Sequence, residues 1–119
     1  MPSDEFKRRT FDFGIRCARL VEALPQTLVA QVIGKQLLRA GMSVGANYRS
    51  AVRGRSRAEF ISKMGIVEEE CDEALHWIEV LCALELISTD RTRDLHTEGN
   101  ELLSIAISSI KTARKNAKS

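Results

Sequence analysis

Residues 33–60 read Ile33-Gly34-Lys35-Gln36-Leu37-Leu38-Arg39-Ala40-Gly41-Met42-Ser43-Val44-Gly45-Ala46-Asn47-Tyr48-Arg49-Ser50-Ala51-Val52-Arg53-Gly54-Arg55-Ser56-Arg57-Ala58-Glu59-Phe60. Ile33, Leu37, Ala40, Val44, Tyr48 and Ala51 recur in steps of three and four, the period of a helix with one face in a core. Arg53-Gly54-Arg55 interrupts that period. Ser56-Arg57-Ala58-Glu59 restarts it as a capping box, in which the Ser56 hydroxyl accepts from the Glu59 amide while the Glu59 carboxylate reaches back. An N-cap of this kind contributes ~1 kcal/mol. One helix, a short break and a second capped helix predict antiparallel neighbours.

The same periodicity extends in both directions. The helix that contains Ile33 starts near Leu28 and ends near Val52. Upstream, a helix is predicted from about Ser3 to Leu24, where Pro25 stops it. Its stripe is Phe6, Thr10, Phe13, Cys17, Leu20 and Leu24, with Phe11, Ile15 and Ala18 widening the apolar face as two neighbours require. Downstream of Ser56, a third helix runs to about Leu86 on Phe60, Met64, Val67, Cys71, Ala74, Ile78 and Leu81. Ser88-Thr89-Asp90 is a second cap-like cluster. A fourth helix follows to about Arg114, burying Leu95, Leu102, Leu103, Ala106, Ile107, Ile110 and Ala113, with Lys115 to Ser119 expected to fray. No segment alternates as a strand does. The expected fold is all-α, an up-down-up-down antiparallel four-helix bundle forming a single domain over residues 1–119. That length suits one domain, which most often has about 100–150 residues.

Composition excludes several classes. With 44% hydrophobic and 29% charged residues, the chain carries enough apolar surface to escape disorder. No apolar run approaches the ~18 residues that span a bilayer, and Met1-Pro2-Ser3-Asp4-Glu5 does not read as a signal peptide. Cys17, Cys71 and Cys82 are an odd set inside periodic segments, as core residues rather than a disulfide scaffold. A cytoplasmic protein without membrane attachment is expected.

Helix bundles can host di-metal sites, which need Glu-x-x-His on two helices and a Glu from each of the others. Glu73-Ala74-Leu75-His76 supplies one such pair, but Arg93 stands three residues before His96, the only other histidine. The second helix has no acid. A surface or intersubunit ion pair is the better account of Glu73, and neither metal nor cofactor is expected. There is no Gly-x-Ser-x-Gly elbow, no phosphate-cradling loop and no cysteine beside an evident base. Arg53-Gly54-Arg55-Ser56 sets two arginines beside a helix N-terminus, a feature that one glycine does not make specific. No enzyme is expected. Gly34, Gly41 and Gly45 cost the second helix about 1 kcal/mol each relative to alanine. Their presence points to close backbone approach, within the protomer or between protomers.

Charge is segregated along the chain. Residues 23–58 contain six bases, Lys35, Arg39, Arg49, Arg53, Arg55 and Arg57, and no acid, whereas residues 59–101 contain twelve acids against Lys63, Arg91 and Arg93. At 100° per residue, Lys35, Arg39, Arg49 and Arg53 fall within an arc of about 80°, opposite the apolar stripe. Such a ridge is what phosphate backbones require, and RNA or DNA is the expected partner. The alternatives are a solvated face, or pairing with the acids of helix three across a subunit contact. Lys111, Arg114, Lys115 and Lys118 sit where a helix C-terminus favours cations.

The run Gln36 to Arg49 resembles the signature of the bacterial four-helix bundle proteins encoded in intervening sequences of large-subunit rRNA genes. Ser56-Arg57-Ala58-Glu59-Phe60-Ile61 is similar to the family's cap and following helix start. Lys63, Glu70, Glu73 and Trp77 match its third helix, and Asn100-Glu101-Leu102-Leu103 and Ile110-Lys111-Thr112 its last. Ser50 stands where the pattern usually has glutamate, and Glu68-Glu69 is more acidic than the pattern. The resemblance implies a homopentamer. It also implies kinship with the accessory protein of diversity-generating retroelements, which binds nucleic acid and a protein partner, a reverse transcriptase. Asn47 is implied to be a buried hydrogen-bonder and Trp77 a packing residue. No catalytic role is implied for any position.

Overall fold

All four periodic segments are helical in the computed structural model, which describes residues 4–117. They are α1 (Asp4–Glu22), α2 (Leu28–Val52), α3 (Arg57–Ala83) and α4 (Thr89–Ala117). Three of the starts have a local cause. The Thr27 hydroxyl accepts from the Ala30 amide at 3.2 Å and opens α2. The Ser56 hydroxyl accepts from the Glu59 amide at 3.1 Å and opens α3. The Glu59 carboxylate reaches back one residue further than a standard capping box, accepting from the Arg55 amide at 2.6 Å. Ser88 accepts from the Arg91 amide at 3.3 Å at the start of α4.

Three helix ends differ from expectation, the least of them that of α1, which stops at Glu22 rather than Leu24. α3 stops at Ala83 rather than near Leu86, because Glu85 adopts φ 59°. The Leu86 amide then donates to the Leu81 carbonyl and the Glu85 amide to the Cys82 carbonyl, closing a Schellman motif without glycine. α4 continues past Arg114 to Ala117, so Lys115 and Asn116 are helical rather than frayed. The expected start at Ser3 and the position of Lys118 lie outside the described residues.

α1 packs on α2, α2 on α3 and α3 on α4, and a slighter contact between α1 and α4 closes the bundle. Helix direction follows from the pairs that touch. Gly45 lies against Thr10 and Phe11 while Gly34 lies against Val21 and Leu24, so α1 and α2 are antiparallel. Leu75 meets Gly99 and Cys82 meets Thr92, so α3 and α4 are too. The result is a rod of 52 × 21 × 20 Å.

Its core holds Phe13, Leu37, Val44, Tyr48, Met64, Val67, Ile78, Leu81 and Leu102, all within the expected stripes. The Phe6 and Tyr48 rings meet edge to face at 4.6 Å. Buried hydroxyls are satisfied inside their own helices, Thr10 by the Lys7 carbonyl at 3.0 Å and Ser109 by the Ile105 carbonyl at 2.8 Å. Phe11 departs from expectation. It is 65% exposed, on the outer side of the α1–α2 seam, because the glycines bring the two backbones too close for a phenyl ring to enter between them.

Candidate nucleic-acid interface

The four basic residues singled out on α2 occupy three kinds of environment. Arg39 is tied to α3: its guanidinium donates to Glu70 at 3.2 Å, to Gln36 at 3.3 Å and to Glu73. Glu73 also accepts from the Trp77 indole nitrogen at 3.0 Å. Thus Glu73 forms an ion pair, as expected, and Trp77 is half-buried beside it. The pairing of ridge with acidic helix is realised inside one chain at this position.

Arg49 lines a groove between α1 and α2, with Thr10, Phe11, Ile15, Met42 and Ala46 along it. Lys35 and Arg53 are exposed near opposite ends of α2. None of Lys35, Arg49 and Arg53 has an ion pair among the described residues. Ser50 is exposed, so the residue that departs from the family pattern adds no acid beside Arg49 and Arg53.

A cavity of about 500 Å³ lies where α3 begins beside the C-terminal half of α4, lined by Arg55, Ser56, Arg57, Phe60, Thr112 and Asn116. Two amides there are already taken, that of Glu59 by Ser56 and that of Arg55 by the Glu59 carboxylate. The helix end is capped by its own side chains.

Acids and bases elsewhere act within the fold. Arg9 on α1 donates to Glu98 of α4 at 2.7 and 2.9 Å and to Glu101 at 2.9 Å. The hydrogen bonds from Arg9 hold the Glu98 carboxyl below its ordinary range, and those carboxylates hold Arg9 more firmly protonated. Sequence reasoning missed this clip. Its signal was the spacing Glu98-x-x-Glu101 beside buried Leu102, opposite an arginine that flanks Phe6 and Phe13. His96 meets Glu79 at 2.8 Å across α3 and α4, while His76 is exposed and stacks edge-on against Trp77. Among the described residues, no group of three or more His, Cys, Asp or Glu is placed to hold a metal ion. Burial pushes the Cys17 and Cys71 thiols up to about 12, which disfavours the thiolate at both. The Asn47 amide donates to the Ser43 carbonyl one turn back at 2.8 Å and is half-buried. No described helix is long and apolar enough to cross a membrane.

The glycine-notched α2 and its basic residues are thus set in a fold that can be compared with known proteins. No curated protein matches the chain. The crystal structure of a protein of unknown function from the S23 ribosomal protein family of Bacteroides thetaiotaomicron is 34% identical and superposes with a TM-score of 0.84. That match covers 89% of this chain and 98% of the other. The family model for the 23S rRNA-intervening sequence protein matches residues 4–108, from the first turn of α1 into α4, and the chain belongs to that family.

Proposed function

We propose that this protein is a non-enzymatic, cytoplasmic homo-oligomer, assembled as the pentamer its family resemblance implies, that contacts RNA or DNA phosphates through the basic face of α2. One observation carries the reading: Lys35, Arg49 and Arg53 are exposed and unpaired among the described residues, on a helix that has no acid. Phosphate contacts need such cations, and symmetry multiplies a small patch into a large one. Arg39 serves the fold instead, through Glu70 and Glu73. Retention of a labelled rRNA fragment on a filter should fall steeply with salt, and Lys35→Glu with Arg53→Glu should abolish it while the helical circular dichroism stays unchanged. Unchanged retention would overturn the assignment.

A second reading treats the protein as an interaction scaffold, with basic α2 meeting acidic α3 of a neighbouring subunit. The observation that favours it is the Arg39–Glu70–Glu73 cluster, which shows α2 and α3 to be complementary in charge.

A further inference from the structure

Six glycines lie inside the helices. Five are accounted for by the chain itself, since a Cβ at Gly14, Gly34, Gly41, Gly45 or Gly99 would come within 2.7–3.2 Å of a neighbouring helix. Gly65 in α3 is different: among the described residues, no other helix and no side chain beyond its chain neighbours comes within 4 Å of the place its Cβ would occupy. A glycine in a helix interior is unfavourable relative to alanine, and no close approach among the described residues compensates for it. Gly65 shares one face of α3 with Glu69 and Asp72, four and seven residues on, both of them exposed. Neither has an ion pair among the described residues. This face is therefore a notch flanked by unpaired negative charge.

The α1–α2 side presents the opposite relief. Phe11 is 65% exposed and Met42 42%, on the rim of a groove of about 310 Å³ that also holds Ile15, Ala46 and the unpaired Arg49. Leu38, one turn before Met42, extends the apolar row. A contiguous apolar patch with a charge at its edge is the usual composition of a protein contact. It is a poor surface for a phosphate backbone.

We propose that the α1–α2 groove of one copy docks on the outer face of α3 in a second copy, with Phe11 seated over Gly65 and Arg49 set against Glu69 and Asp72. Charge complementarity selects the occupant: the groove carries an unmatched cation and the Gly65 face unmatched carboxylates, and both belong to this chain. The missing side chain at Gly65 leaves room for the phenyl ring. Because α1 does not pack against α3, the two faces look in different directions, and each copy offers both. Such a contact is heterologous and propagates around a ring. The inference rests on the self-association proposed above, and it gives Arg49 to the subunit contact while Lys35 and Arg53 remain free for phosphate.

Light scattering on the full chain tests this, with helical circular dichroism as the control for folding. Gly65→Leu fills the notch at a site with open space, so the bundle should stay helical while the mass falls to the 13.3 kDa of one chain. Arg49→Glu should do the same, and adding Glu69→Arg with Asp72→Arg should restore the wild-type mass. Wild-type mass in both Gly65→Leu and Arg49→Glu would overturn the docking alone. Loss of RNA retention by Arg49→Glu at unchanged mass would also overturn it, by assigning the groove to nucleic acid. A wild-type chain already at 13.3 kDa would overturn both this inference and the self-association beneath it. Failure of the Lys35→Glu and Arg53→Glu test would leave the docking untouched, since neither residue lines the groove.

Discussion

α1 is held on its two sides by opposite means. Toward α2 the contact is made by absence of side chains: Gly41 sits where a Cβ would lie 2.7 Å from both the Cβ and Sγ of Cys17, and Gly45 lies against the Thr10 carbonyl and the Phe11 backbone. Toward α4 the contact is made by long charged side chains, with Arg9 bridging Glu98 and Glu101. The first seam is dry, so its strength depends on shape. The second depends on ionisation, and at side-chain exposures of 24% for Arg9 and 19% for Glu98 it is only partly shielded from water. A bundle that closes weakly between its first and last helices gains an electrostatic latch where close packing is missing.

The largest effect is expected from breaking the dry seam. Gly41→Val places two methyl groups against Cys17, which is fully buried and has nowhere to move. Overpacking of this kind costs typically 1–3 kcal/mol, and the β-branched residue recovers only roughly a few tenths of a kcal/mol of helix propensity over glycine, so a loss of about 2–3 kcal/mol is expected in urea unfolding. The loss should be the same at pH 7 and pH 3, because the groups that clash, at positions 41 and 17, include no acid.

Breaking the latch should give a smaller loss with a different pH dependence. Arg9→Met leaves a partly buried Glu98 without its donor, and a loss of about 1 kcal/mol is expected at pH 7. The folded Glu98 carboxyl titrates below its ordinary value because of Arg9. Its contribution is therefore fully present above the unfolded value of about 4.3 and disappears as pH falls through the lower folded value. The difference between wild type and Arg9→Met should shrink as pH falls below that unfolded value. A difference that stays constant with pH would mean that Arg9 acts through packing of its aliphatic stem alone.

The two seams also differ in how far they could be read from the sequence. Gly34, Gly41 and Gly45 announced a close approach on α2, because glycine inside a helical period has few other physical reasons. They did not announce the partner, which the structure places within the protomer as α1. The apolar stripes were legible because period and burial are the same information, and most residues placed on them are buried, with Ile33, Phe60, Leu103, Ile107 and Ala113 half-buried. Phe11 was misplaced by that logic: an aromatic residue beside the stripe reads as core, and only the tightness of the glycine seam turns it outward. The Arg9 latch stayed hidden because a surface ion pair between the first and last helices leaves no periodic trace. In the candidate interface, the basic arc was legible from helical angles. The capture of Arg39 by Glu70 and Glu73 was not, since it depends on which residues of α3 lie level with Arg39.

The smallest effect sharpens the comparison by asking whether the dry seam is tight along its whole length. A Cβ at Gly34 would meet Val21 Cγ1 at 3.1 Å and Leu24 Cδ1 at 3.3 Å, the tips of two side chains where α1 ends, rather than the backbone or a Cβ. Leu24 lies beyond the last turn of α1, in the connection to α2, and its side chain can swing by the few tenths of an ångström required. Alanine gains about 1 kcal/mol of helix propensity over glycine, and the crowding costs a similar amount. Gly34→Ala is therefore expected to unfold within about 0.5 kcal/mol of wild type, against the much larger loss at Gly41. An equal loss at the two positions would show that α1 and α2 are locked to the end of α1. Near-neutrality places the lock at Gly41 and Gly45, beside the groove that Phe11 and Met42 flank.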